Sequence, residues 1–250
     1  MHSSNVLHRE TSSQPNSHPG DVPAALLRRS SEYLTPCILP VSLAKGGMFF
    51  LEGEPASGLY ILHSGRAKES LLSNSGKAAI VRVLEPGSIP GLAAVLNGEA
   101  HESTVEALAP CQADFVKKVD FIRLLSSSSR IGEMVIRQLS RDCKQSYSAI
   151  RYLGAAGSTA ERLAGLLLQW AKESPLLNLV RGSGKPKSGQ GVSFRVTLTQ
   201  EEIGQSVGTT RETTARILAE FRQKKWIMTE GSVWTLTNTK ALRELAEVWY

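Results

Sequence analysis

The residues best suited to chemistry lie close together near the C-terminus: Arg211, Glu212, Thr213 and Arg216. A helix that begins at Arg211 crowds all four into its first turn and a half. That is where a recognition helix presents side chains to base edges. An Arg guanidinium offers a fork of donors to guanine O6 and N7, and a Glu carboxylate accepts from cytosine N4. No Ser/His/Asp set, carboxylate pair or phosphate-cradling glycine loop appears in the chain, so nothing points to catalysis.

The elements around these residues form a plausible platform. Phe194–Leu198 alternates as a strand does, and Thr199-Gln200-Glu201-Glu202 is a capping box in outline. The helix it opens, Gln200–Val207, stops at Gly208, and Thr209 and Thr210 lead into a second helix over Arg211–Lys225. Two helices joined by a short turn containing Gly make a helix-turn-helix. Ile203, Val207, Ile217 and Leu218 supply its apolar inner face. Trp226-Ile227-Met228 and Val233–Leu236 flank Glu230-Gly231-Ser232, a hairpin that reads as a wing, and Lys240–Trp249 reads as a closing helix. Helical spacing alone fits a packing hairpin equally well. The charged first turn is what shifts the reading toward DNA.

The first half of the chain follows a different rhythm. Between Lys45 and Val116, short apolar runs alternate with Gly turns, which predicts an antiparallel β-roll. A short helix is expected over Ala24–Tyr33 and another over Asp120–Leu125. A long helix then runs over Arg130–Leu153, with a stripe of Ile131, Val135, Leu139, Cys143, Ser146, Ile150 and Leu153. This stripe either covers the roll or forms a seam between two copies. The seam is favoured, because a helix joining two domains has little domain of its own to pack on. Gly154–Ser158 reads as a hinge, Thr159–Lys172 as an apolar helix capped by Ser158 or Thr159, and Gly182–Gly191 as a loop.

The expected organisation is therefore α+β: a disordered arm at 1–23, a β-roll effector domain at 24–129, a dimerisation helix and hinge at 130–155, and a winged helix-turn-helix at 156–250. The 250 residues allow two domains, and the net charge of +6 permits nucleic acid as a partner without proving it. Three cysteines without CxxC spacing argue against a disulfide framework or a zinc site and suit a cytoplasmic protein. No apolar run approaches ~18 residues, so no membrane partner is expected.

The segment Thr199–Arg216, TQEEIGQSVGTTRETTAR, resembles the helix-turn-helix of the Crp–Fnr transcription regulators. Glu52-Gly53-Glu54-Pro55-Ala56, Ser64-Gly65, Pro86-Gly87 and Gly91 resemble that family's cyclic-nucleotide-binding-like roll. The resemblance implies a homodimer on double-stranded DNA, with RNA polymerase as a further partner. It places Arg211, Glu212 and Arg216 at the base-reading positions, toward TGTGA-like half-sites. Thr199, Gln200, Thr209, Thr210 and Thr213 fall where backbone phosphates are held.

The same resemblance places an effector pocket at Gly91, Leu92, Glu102, Ser103, Thr104, Tyr147 and Ser148. Cyclic-nucleotide-binding members carry Gly-Glu there, and an Arg before Ser or Thr. Here Leu92 follows Gly91, and Glu102 stands at the Arg position. A carboxylate facing a cyclic phosphate is repulsive. Cyclic AMP is therefore not expected, no cofactor is implied, and any small-molecule effector is of unknown identity, uncharged or cationic. Two other classes compete. A sensor or scaffold without DNA reading would hold Arg211 and Arg216 in internal ion pairs. A cupin-like metalloenzyme would use His63 and His101, but neither lies in a His-x-His pattern.

Overall fold

The computed structural model describes residues 38–73, 76–153, 157–173 and 191–246. Strands β1 (Ile38–Leu43), β3 (Gly58–Ser64) and β7 (Cys111–Lys117) form one sheet in the order β1-β7-β3. Strands β2 (Met48–Phe50), β4 (Ala67–Leu72), β5 (Ala78–Leu84) and β6 (Thr104–Ala107) form another in the order β2-β6-β4-β5. All the pairings are antiparallel. Phe49, Phe50, Leu62, Ala67, Leu84, Val105, Ala107 and Ala113 form one buried cluster that joins the two sheets.

A second cluster forms under the helices. Helix α1 (Leu92–Asn97), which the sequence pattern did not suggest, buries Leu92, Ala94 and Val95. Helix α2 (Lys118–Ser127) adds Phe121 and Leu124, and the long helix α3 (Ser129–Leu153) adds Ile131 and Val135.

This corrects the expected stripe of the long helix. Ile131 and Val135 belong to the protomer's own core and are unavailable to a partner. The apolar side chains left on the surface of α3 are instead Ile136, Tyr147 and Ile150, at 68%, 64% and 60% exposure, with Cys143 also exposed. The error was one of phase. The 25-residue helix carries two apolar faces, and spacing alone merged them into one.

The C-terminal domain has its own core. Helix α4 (Thr159–Glu173) buries Leu163 and Leu167 in one cluster with Phe194, Ile227 and Leu236 of strands β8 (Val192–Arg195), β9 (Ile227–Glu230) and β10 (Val233–Leu236), ordered β8-β10-β9. Ser158 caps α4, accepting from the Glu161 amide at 3.3 Å. Helices α5 (Gln200–Ser206), α6 (Arg211–Gln223) and α7 (Thr239–Ala246) complete the domain. The expected helix over Ala24–Tyr33, most of the Gly182–Gly191 loop, residues 154–156 of the hinge and the end of the closing helix lie outside the described residues.

Candidate nucleic-acid interface

The entry to α5 is fixed by its cap. Thr199 Oγ1 accepts from the Glu202 amide at 3.2 Å, and Glu202 Oε2 accepts from the Thr199 amide at 2.8 Å. This reciprocal arrangement satisfies two of the donors that any helix start leaves open. The turn after α5 depends on two glycines. Gly208 has φ +66, and a Cβ there would lie 2.7 Å from the carbonyl oxygen of Leu153 at the end of α3. A Cβ on Gly204 would meet the Thr209 carbonyl oxygen and Thr214 Oγ1, both at 2.9 Å. The helix-turn-helix therefore closes on itself and on the long helix at positions that tolerate no side chain.

Helix α6 starts at a second cap, where Thr210 Oγ1 accepts from the Thr213 amide at 3.3 Å. Thr214 is fully buried and donates to the Thr210 carbonyl at 2.9 Å. Ile203, Val207, Ile217 and Leu218 all lie within the buried core, as the sequence pattern requires. This leaves the opposite face of α6 to solvent, with Arg211, Glu212 and Arg216 exposed and Thr213 half-buried. Neither Arg makes an ion pair among the described residues. The internal ion pairs expected of a hairpin that only packs are thus absent for both Arg side chains among the described residues. Hydrogen bonds from the Glu212 backbone amide and the Thr210 hydroxyl, with the Arg211 charge, hold the Glu212 carboxyl below its usual range. It is therefore an ionised acceptor. Thr199 and Thr210 are exposed, and Gln200 and Thr209 half-buried, around the N-termini of α5 and α6. Unpaired amides at such ends favour anionic oxygens.

The interface is anchored to the roll by an ion-pair cluster that sequence reading missed. Lys68 Nζ on β4 lies 2.9 Å from Glu202 Oε1 and 3.1 Å from Glu106 Oε2 on β6. Burial works against the charge on Glu202, but the Thr199 amide and Lys68 outweigh it and hold the carboxyl below its usual range. Burial likewise opposes the charge on Lys68, and its two carboxylates more than compensate, raising its pKa. Arg66 adds a longer contact to Thr197 Oγ1 at 3.5 Å. Glu202, which closes the capping box of α5, thus also docks the C-terminal domain on the roll. The signal available in the sequence was faint: a charged pair, Lys68-Glu69, inside a strand.

Most of the expected effector residues are taken up by the chain's own packing and hydrogen bonds. Gly91 takes φ +83 as the N-cap of α1, and Leu92 is buried in the roll core. Glu102 and Tyr147 are exposed. Ser103 donates to Glu69 Oε1 at 2.6 Å, Thr104 accepts from the Glu52 amide at 3.0 Å, and Ser148 donates to the Lys144 carbonyl at 3.2 Å. Between roll and long helix sits a network of the chain's own charges. Arg82 Nε donates to Glu69 Oε2 at 2.6 Å, and Arg82 Nη1 lies 2.5 Å from Asp142 Oδ1 on α3. Burial raises the Asp142 pKa, against the pull of Arg82 and Gln138. The two described histidines, His63 and His101, are engaged within the roll. His101 stacks on Phe50 with ring centroids 3.7 Å apart, and burial lowers its pKa; His63 Nε2 lies 2.7 Å from Asp114.

Comparison with known proteins matches both halves. Residues 40–128 match the cyclic nucleotide-binding domain, and residues 161–245 match the Crp-like helix-turn-helix domain. The CRP-like cAMP-activated global transcriptional regulator of Mycobacterium tuberculosis is 28% identical over 220 residues, covering 85% of this chain and 90% of the relative. The global nitrogen regulator of Synechococcus elongatus is 28% identical over 203 residues, covering 80% and 86%. In structure, FixK2 from Bradyrhizobium japonicum is similar at a TM-score of 0.68 and 20% identity, covering 83% of this chain and 96% of that one. At that identity the structural likeness speaks for the fold alone.

Proposed function

Since the chain belongs to the Crp–Fnr family of DNA-binding transcription regulators, we propose that it works as a homodimer on an inverted repeat, reading each half-site with Arg211, Glu212 and Arg216. The observation that carries this is the exposed start of α6, where neither Arg211 nor Arg216 makes an ion pair among the described residues. Arg211 and Arg216 each take a guanine, and Glu212 takes the cytosine paired with one of them. Thr199, Gln200, Thr209, Thr210 and Thr213 position the domain on backbone phosphates, helped by the positive ends of α5 and α6.

Dimerisation uses the free face of α3. Ile136, Cys143 and Ile150 recur at seven-residue intervals, with Tyr147 beside them, as a two-stranded seam requires. Two-fold symmetry then sets the second recognition helix one turn of DNA away. RNA polymerase is a further partner in this reading, and the site of action is the cytoplasm. The Mycobacterium tuberculosis relative is named as cAMP-activated, but cyclic AMP is not the effector here. Glu102 and Leu92 replace the expected ligand groups, and Arg82 is already engaged by Glu69 and Asp142.

The test is anisotropy titration on a symmetric operator. Arg211→Ala and Arg216→Ala should each weaken binding by about 1–3 kcal/mol and relax the preference at one base pair. Gln200→Ala should weaken all sequences alike and flatten the salt dependence. Equal losses on operator and random DNA for the Arg variants would refute the assignment.

A further inference from the structure

A cavity of about 370 Å³ lies where the roll, the long helix and the DNA-binding domain meet. Val83 and Arg66 come from the roll, Arg141 and Lys144 from α3, and Trp170 and Arg195 from the DNA-binding domain. Its size falls within the range of small-molecule sites. It is not the pocket expected from sequence. Of those seven positions only Ser148 borders it. It also lies on the side of α3 away from the exposed Ile136, Cys143 and Ile150, so a partner on that face leaves it open.

The charges in its wall are unbalanced. Arg66, Arg82, Arg141, Lys144 and Arg195 face a single acid, Glu85. Glu85 is taken by Arg66 at 3.0 Å, and Arg82 is held by Glu69 and Asp142. Among the described residues, Arg141 donates only to the neutral Gln138 Oε1, at 2.8 Å. Lys144 and Arg195 make no side-chain hydrogen bond or ion pair among the described residues. Among the described residues, three cations are thus left without an acidic partner around one opening. The surfaces between them are apolar, with Ile80, Val83, Leu166, Phe194 and the half-buried Trp170 ring.

From this juxtaposition we infer that the cavity binds a small organic anion with a flat apolar body, and that this ligand is the regulator's effector. A carboxylate or phosphate group meets Arg141, Lys144 and Arg195, while the ring lies among Val83, Leu166 and Trp170. Because the walls come from both domains, the ligand binds only when the domains are docked, and so favours that arrangement. Arg195 ends β8, four residues before the Thr199 cap of α5, so the docked arrangement also sets the orientation of the helix-turn-helix. The binding site stands without any assumption about DNA. Its regulatory effect rests on the proposed function.

The experiment is calorimetric titration of the full-length protein with 1-naphthyl phosphate, with 1-naphthol and inorganic phosphate as controls. One saturable site per chain is expected. Both controls should bind at least tenfold more weakly, as should naphthyl phosphate to Lys144→Glu and to Arg195→Glu. Both substitutions are at exposed positions. DNA binding by the two variants without probe is measured in parallel. Retained DNA binding with lost probe binding supports the site. Probe that saturates the wild type but leaves its operator affinity unchanged overturns the regulatory step while the site stands. The inference fails if the wild type shows no saturable binding up to millimolar probe, if naphthol binds as tightly, or if both charge reversals leave the affinity unchanged.

Discussion

The contact between Lys68 and Glu202 makes two demands on one carboxylate, and the two can be separated. Glu202→Gln keeps an acceptor for the Thr199 amide, since Gln serves in a capping box, but removes the charge facing Lys68. Lys68→Met removes the cation and keeps the apolar stem. Both side chains are 15% exposed, at a separation of 2.9 Å. Exposed pairs contribute ~0.2–1 kcal/mol, and breaking a fully buried pair costs ~3–5 kcal/mol. This partly buried contact, with Glu106 as a second partner for Lys68, should give a coupling of about 1–2 kcal/mol in a double-mutant cycle. The assay is unusually clean. All four tryptophans, Trp170, Trp226, Trp234 and Trp249, fall after residue 160 and none in the roll, so Trp fluorescence during denaturant unfolding follows the C-terminal half of the chain and its docking. The pH dependence follows from the shifts. Glu202 is depressed, so its contribution holds at neutral pH and fades as pH falls through its lowered value. Lys68 is raised, so its contribution persists until pH rises through its own raised value. A coupling below about 0.3 kcal/mol at neutral pH and low salt, the limit of simple additivity, would refute the latch.

Two further outcomes follow from the same geometry. Ile150→Asp places a charge on the free face of α3 without touching the roll core, and light scattering should show a monomer at micromolar concentration; an unchanged dimer would move the seam elsewhere. Cyclic AMP titrated into the full-length protein should give no heat at concentrations that saturate cyclic-AMP sensors, and micromolar binding would show that the Arg82–Glu69–Asp142 network opens for a ligand.

Local chemistry was the most legible part of the sequence. The Thr199–Glu202 box, the Gly208 turn and the Thr210 start appear in the structure where residue types alone place them, because caps and tight turns are decided within a few residues. The apolar inner face of the helix-turn-helix was legible for the same reason. The long helix was harder. Two apolar faces overlap in its periodicity, and only packing shows that Ile131 and Val135 face inward while Ile136 and Ile150 do not. Contacts between distant segments left almost no trace. Nothing near Lys68 announces Glu202, 134 residues away, and nothing near Arg82 announces Asp142. The cavity beside them depends on how two domains dock, so no single stretch of sequence encodes it.

The central claim is that α6 reads DNA as one half of a symmetric pair. Selection of binding sites from a random DNA pool by the full-length protein tests it most directly. The account predicts a dyad-symmetric consensus with G·C pairs facing Arg211 and Arg216, and half-site centres about one helical turn apart, near 34 Å. A consensus without dyad symmetry, or one lacking G·C pairs at those positions, would contradict it.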